Sequence, residues 1–304
     1  MSFVRTAVTA TRGVPGLRAF STARVFRAEL AYQVYGPEKE QATRDPILFL
    51  HGLFGSKQNN RSISKALARD LKRQIFCLDL RNHGQSFHAP EHNYSAMADD
   101  VQEFIQQQKL DSTSSHEFHL STYANIGKRG AKVAMTMALR TPERVSGLIP
   151  VDNAPVNATL KSDFPKYVRG MQHVENEKVK KQSEASKILE AYEESLGIRQ
   201  FLLTNLIRSE DDGTYKFRVP LAVLGKSLDN MADFPYSQSD SIQYNGPALF
   251  VRGTKSQYVS DDTLPAIKKF FPSAKVADVE AGHWLISENP EGFRQAVVKF
   301  LGSP

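Results

Sequence analysis

The sequence predicts an α/β fold: a doubly wound, mostly parallel sheet with helices on both faces and an inserted helical cap. Three observations lead there. Short apolar runs cut off by polar or glycine turns, such as "DPILFLHG" (45–52) and "RQIFCLDL" (73–80), fit strands buried on both faces. Segments of helical spacing alternate with these runs, which is the pattern of a parallel sheet covered by helices. The alternation breaks once, from about 157 to 245, where the chain turns charged and helical before strands resume.

The elements follow in order. "ELAYQVYG" alternates like a strand, and "DPILFLHG" is the first buried one. "SISKALARDL" (62–71) has helical spacing, and "RQIFCLDL" is a strand stopped by "RNHGQS". "YSAMADDVQEFIQQQKL" (94–110) is an amphipathic helix with Ser95 as its expected cap. "EFHL" leads into a turn and then the helix "AKVAMTMALRT", ended by Pro142, and "VSGLIPVD" (145–152) is a further strand. Within the inserted stretch, Lys and Glu residues mark solvated helix faces, and "DDGTYKFRV" reads as a hairpin. "GPALFVRG" (246–253) resumes the sheet, "IKKFFP" ends a helix, "AKVADVEAGHW" is the last strand and its loop, and "EGFRQAVVKFL" closes the chain.

Composition bounds the function. The 304 residues are 40% apolar and 24% charged, enough for a large core. The net charge of +6 is concentrated: residues 1 to 28 carry Arg5, Arg12, Arg18, Arg24 and Arg27 and no acid before Glu29. Without these arginines the charge is +1, which argues against a nucleic-acid surface. Arg-rich, Ser-, Thr- and Ala-rich and acid-free, residues 1–28 read as a mitochondrial presequence, with "RAFS" (18–21) a processing point. The expected domain is therefore 29–304, with its cap at about 157–245, in a mitochondrial protein. The single cysteine, Cys77, excludes an internal disulfide and predicts a buried thiol. No run approaches the roughly 20 apolar residues that a membrane helix needs.

The candidate chemistry sits at strand ends, where such sheets bind ligands. In "HGLFGS" (51–56), Gly52 and Gly55 permit a tight turn, the Leu53 N–H can face a developing oxyanion, and Phe54 can wall a pocket. Asp152 ends the strand "VSGLIPVD", His283 lies in the loop after the last strand, and Trp284 stands beside it as a second pocket wall. An acid that orients an imidazole, which in turn takes a nucleophile's proton, needs this pair; Asp229 and Asp261 are the alternative acids. The turn between "EFHL" and the next helix should hold the nucleophile, and "STYANIGKR" (121–129) offers no serine where one is needed.

"HGLFGSK", "DLRNHGQS", "HNYSAMADDV", "GAKVAM", "VDNAP", "RGTKSQYV" and "AGHWLISENPE" together resemble a mitochondrial branch of the α/β-hydrolase family. That branch includes fungal ethanol acetyltransferases and abhydrolase-domain-eleven proteins, and the resemblance spans about 29 to 304. It implies a serine-type hydrolase or acyltransferase with alcohol acetyltransferase, esterase and thioesterase chemistry. Small-molecule esters, thioesters or alcohols are the implied partners and acetyl-CoA a substrate, with no metal or bound cofactor.

The family pattern at the turn is close to "GHSMGAKVAM". This chain keeps "GAKVAM" (130–135) but places Lys128 at the serine position and Ile126 at the preceding glycine position. Ile126 is β-branched and crowds an elbow that needs small neighbours. Lys128 is a nucleophile only with a depressed pKa. Ser121, the nearest hydroxyl, follows directly on the strand and lacks flanking glycines; it is the alternative nucleophile. Three readings stand: a misread splice boundary that hides a serine, a pseudoenzyme that keeps the pocket to bind an acyl or ester ligand or a protein partner, or an enzyme with an unusual nucleophile.

Overall fold

Two four-residue apolar runs form neighbouring interior strands of the sheet. In β2 (Ile47–Leu50) and β3 (Ile75–Leu78) every residue is buried. Their side chains alternate between two cores, Leu48, Leu50, Phe76 and Leu78 facing one, and Ile47, Phe49, Ile75 and Cys77 the other. A computed structural model describes residues 29–38, 42, 45–110, 118–122, 129–157 and 164–302. The presequence expectation, Ile126 and Lys128 lie outside the described residues.

β1 (Tyr32–Tyr35) pairs antiparallel with β3 at one edge. β4 (Phe118–Thr122), β5 (Val145–Ile149), β8 (Ala248–Gly253) and β9 (Ala274–Val279) extend the sheet in parallel on the other side of β2, giving the order β1-β3-β2-β4-β5-β8-β9. Strand order reverses at β2, so a crevice opens between the carboxyl ends of β2 and β4, where ligands bind in open α/β sheets.

α1 (Arg61–Leu71) and α10 (Pro290–Gly302) cover one face; α2 (Tyr94–Gln107), α3 (Arg129–Arg140) and α8 (Leu264–Phe270) cover the other. A four-residue helix, α9 (Leu285–Glu288), follows the last loop. The cap of α2 differs from expectation: Asn93 accepts the Ala96 N–H at 2.8 Å, and Ser95 lies inside the helix. Cys77 is buried against the Ser64 hydroxyl at 3.0 Å, and burial pushes its pKa up to about 12.

Between β5 and β8 come α4 (Phe164–Asn176), α5 (Gln182–Leu189), α6 (Leu196–Leu203), the hairpin β6 (Leu206–Arg208) and β7 (Tyr215–Phe217), and α7 (Leu221–Lys226). Their apolar faces share a third core that also takes in Leu53 and Phe54. The roots of this cap are fastened to the sheet's helices. Lys132 of α3 is buried and donates to the carbonyls of Val156, Ala232 and Asp233 at 2.9, 2.9 and 3.1 Å. These three acceptors match the three donors of an ammonium group. Tyr94 of α2 donates to Met231 O at 2.8 Å.

Candidate active site

Asp152 leaves the sheet one residue after the bridge between Val151 and Val251, in a left-handed conformation (φ +46°) that Asp tolerates better than most residues. Its own N–H donates to Val251 O at 2.8 Å, and its side chain is fully buried. Three donors hold the carboxylate. Gly253 N–H reaches Oδ1 at 3.3 Å, while the Ser256 hydroxyl (2.6 Å) and His283 Nδ1 (2.7 Å) reach Oδ2. An acceptor-only carboxylate forces His283 to carry its proton on Nδ1, so in the neutral ring Nε2 has a free lone pair. That Nε2 is buried and has no hydrogen-bond partner among the described residues. The loop behind it is braced by hydrogen bonds. Both oxygens of Glu288 accept from the backbone on either side of His283, from Gly282 N–H at 2.6 Å and Trp284 N–H at 3.3 Å. Tyr258 packs on the imidazole with ring centroids 4.1 Å apart.

The second part of the site is the turn after β2. Gly55 N–H bonds to Gly52 O at 3.1 Å, closing a β-turn with Phe54 in its third position at φ +59°. A side chain there costs about 1–2 kcal/mol relative to glycine. Hydrogen bonds offset this: Phe54 N–H donates to His83 Nε2 at 3.1 Å, and Phe54 O accepts from Asn205 Nδ2 at 2.8 Å. With the amides of Phe54 and Gly55 engaged, the Leu53 N–H is left without an acceptor among the described residues. This is the state required of an oxyanion donor.

The histidines behind the turn are fully used. His51 Nε2 accepts the Leu80 N–H at 2.9 Å and its Nδ1 donates to Gly52 O at 2.7 Å; His83 Nδ1 donates to Arg81 O at 2.9 Å. Burial lowers the pKa of His51 from its ordinary 6.5, overriding the pull of Asp79 and the bond to Gly52. Asp79 and Lys57 form a buried ion pair, and Asp79 also accepts from Lys57 N–H at 2.6 Å and Gln85 N–H at 2.9 Å. It crosses the space where a side chain on Gly84 would stand: a Cβ there would lie 2.1 Å from the carboxylate. The pair ties the loop after β2 to the loop after β3.

Not every expected residue enters this constellation. Lys128 lies outside the described residues. Ser121 pairs with Phe49 and Ile149 in the ladder, one residue short of the end of β4. The side chain of Phe54 is buried against Phe164 of the cap, ring centroids 6.0 Å apart, rather than facing the cleft beside Trp284. Trp284 meets Phe201 of α6 edge-on at 5.7 Å, and the two line a cleft of ≈ 380 Å³ with Ile198 and Ser195. Of the alternative acids, Asp261 is exposed and pairs with Arg252 at 2.7 Å, while His283 pairs with Asp152. Gly130, the first glycine of "GAKVAM", packs on the end of β2, where a Cβ would stand 2.7 Å from the carbonyls of Leu50 and His51.

Sequence reasoning missed Ser256, Glu288, His83 and Asn205. Ser256 and Glu288 sit in quoted motifs, but their partners are set by loop geometry that no spacing reveals. Among the described residues no three His, Cys, Asp or Glu side chains could hold a metal ion, and no helix is long and apolar enough to cross a membrane.

The family model of the alpha/beta hydrolase fold matches residues 45–290, which contain both halves of this site. The chain belongs to the alpha/beta hydrolase family. Its relatives include an abhydrolase domain-containing protein of Schizosaccharomyces pombe, 37% identical, covering 90% of this chain and 98% of that protein. A probable alcohol acetyltransferase of Saccharomyces cerevisiae is 36% identical, with 86% and 78% covered. The sn-1-specific diacylglycerol lipase ABHD11 of Mus musculus is 37% identical, with 86% and 82% covered. Among solved structures, a marine microorganism esterase superimposes with a TM-score of 0.80 at 31% identity, over 90% of this chain and 99% of its own. Hydrolase, esterase and acyltransferase chemistry is thus what this hydrolase-fold chain is surrounded by.

Proposed function

We propose that this chain is built for acyl transfer from small esters or thioesters, with its acid–base and oxyanion parts in place and its nucleophile belonging to the 121–129 segment. The observation that carries this is His283: one nitrogen fixed by a buried carboxylate, the other buried and unpartnered among the described residues. In the reaction, a hydroxyl proton moves to Nε2 as its oxygen attacks the acyl carbon. The carbonyl oxygen takes up the negative charge and accepts the Leu53 N–H. Collapse breaks the bond to the alkoxide or thiolate, which leaves with the proton from Nε2. Water or an alcohol then repeats the sequence on the acyl-enzyme, giving hydrolysis or ester formation. The acetyltransferase among the relatives supports acetyl-CoA as a donor and an alcohol as an acceptor. Replacing "STYANIGKR" by "IGHSM" and assaying a short p-nitrophenyl ester tests the proposal. Activity is expected, and it should vanish with His283→Ala; activity indifferent to that change would contradict it.

A second reading rests on the departure at 126–129, where Ile126 and Lys128 replace the residues an elbow uses. A non-catalytic chain would bind an acyl or ester ligand without turnover. It is distinguished by an ester analogue that raises the Tm of the unmodified chain while the repaired one stays inactive. We also propose a mitochondrial address in residues 1–28, supported by five arginines without an acid. A reporter fused to them should enter mitochondria, and a cytosolic reporter would contradict it.

A further inference from the structure

We propose that Asn205 is a positioning residue through which seating of the cap sets the oxyanion turn. The inference rests on the reading of Leu53 as the oxyanion donor. Asn205 belongs to the cap, between α6 and β6, and lies 151 positions from the residue it holds. It is 3% exposed. Its own backbone is fixed at both ends, the N–H donating to Leu202 O at 3.1 Å and the carbonyl accepting Arg218 N–H at 2.8 Å. The side chain is therefore held where its Nδ2 meets Phe54 O.

Phe54 is the hinge of the coupling. Its ring belongs to the cap's core, while its backbone is the left-handed corner of the oxyanion turn. Sheet and cap each hold one side of it, His83 taking its N–H and Asn205 its carbonyl. Raising the cap would withdraw the ring from its core and remove the Asn205 bond together. Phe54 would then keep an unfavourable φ with the His83 bond alone on its own backbone, and the Phe54–Gly55 peptide would be free to rotate, weakening the Gly55 N–H bond to Gly52 O and, through the Gly52–Leu53 peptide to which that oxygen belongs, moving the Leu53 N–H off its aim. Closing the cap over a substrate would restore both contacts, so that the oxyanion donor is aligned only when the pocket is covered. This gives the cap a role beyond enclosing substrate.

The test uses Asn205→Leu, which keeps the side-chain size and removes the donor, and Asn205→Asp, which places an acceptor against the Phe54 carbonyl. Amide hydrogen exchange, resolved to single residues by fragmentation, is read on the full unmodified chain and both variants. Exchange at Phe54 and Gly55 should rise about tenfold, the loss expected for one buried hydrogen bond. Amides of α4 and α5 should keep their protection, showing that the cap still folds. Unchanged exchange at Phe54 and Gly55 in a folded variant would overturn the proposal, as would a uniform rise across the cap in both. In the "IGHSM" version, Asn205→Leu should lower kcat by about tenfold with KM nearly unchanged, the signature of a lost transition-state contact; a raised KM with kcat intact would overturn it. If that version turns nothing over, the acyl-transfer reading fails, while the exchange result still decides what Asn205 does to the turn.

Discussion

His51 follows β2 and His283 follows β9, and the contrast in their hydrogen bonding supports the proposed role of His283. Both nitrogens of His51 are bonded to backbone, and so are those of its neighbour His83. These rings have no lone pair or proton to offer a substrate; they act as struts for the oxyanion turn. His283 has one nitrogen engaged by Asp152 and one left over among the described residues. Buried polar atoms are nearly always paired, so one left unpaired at a strand end among the described residues supports the proposed place of the nucleophile. Residue type alone would have ranked these histidines equally.

The largest effect should come from disabling His283. Asp152→Asn in the "IGHSM" version should cut turnover by about 10⁴-fold, because the asparagine amide favours the wrong tautomer of His283. Near-full activity would mean that another carboxylate orients the ring.

Around His51, the effects should fall on stability. Asp79→Asn leaves the Lys57 ammonium buried without its counter-charge, and should cost roughly 3–5 kcal/mol in urea unfolding. A loss below 1 kcal/mol would show that the pair is not what joins the two loops. His83→Ala should cost less, roughly 1–3 kcal/mol, through the orphaned Phe54 N–H.

The smallest effect is the pH dependence. Burial lowers the His51 pKa, so the unfolded chain binds a proton that the folded chain refuses. His51 therefore contributes stability that is fully present above its ordinary 6.5 and falls away as pH drops below that value. The slope has a ceiling of roughly 1.4 kcal/mol per pH unit for one proton. Urea midpoints across mildly acid pH should show it, and His51→Gln should flatten it; an equal slope in the variant would assign the effect to other groups.

The sheet was legible because its information is local. Apolar runs such as "ILFL" and "IFCL" become strands with every residue buried, and the charged stretch after β5 becomes helices with a core of their own. Asp152 and His283 were also legible, since strand-end position and chain order can be read directly. What could not be read depends on contacts between distant segments. Ser256 reaches Asp152 from 104 positions away, and Asn205 reaches Phe54 from 151. The α2 cap shows the same limit at short range: Asn93 and Ser95 are both good capping types, and only the backbone conformation of Asn93 decides between them.

The most direct test of the proposed acyl-transfer site is covalent labelling by a fluorophosphonate, read by intact mass on the unmodified chain and on the chain carrying "IGHSM" in place of "STYANIGKR". No adduct is expected on the first, and on the second a single adduct on the new serine that disappears with His283→Ala. An adduct on the unmodified chain at Ser121 would contradict the placement of the nucleophile. A repaired chain that takes no label would contradict the claim that His283, Asp152 and the Leu53 amide form a working acyl-transfer site.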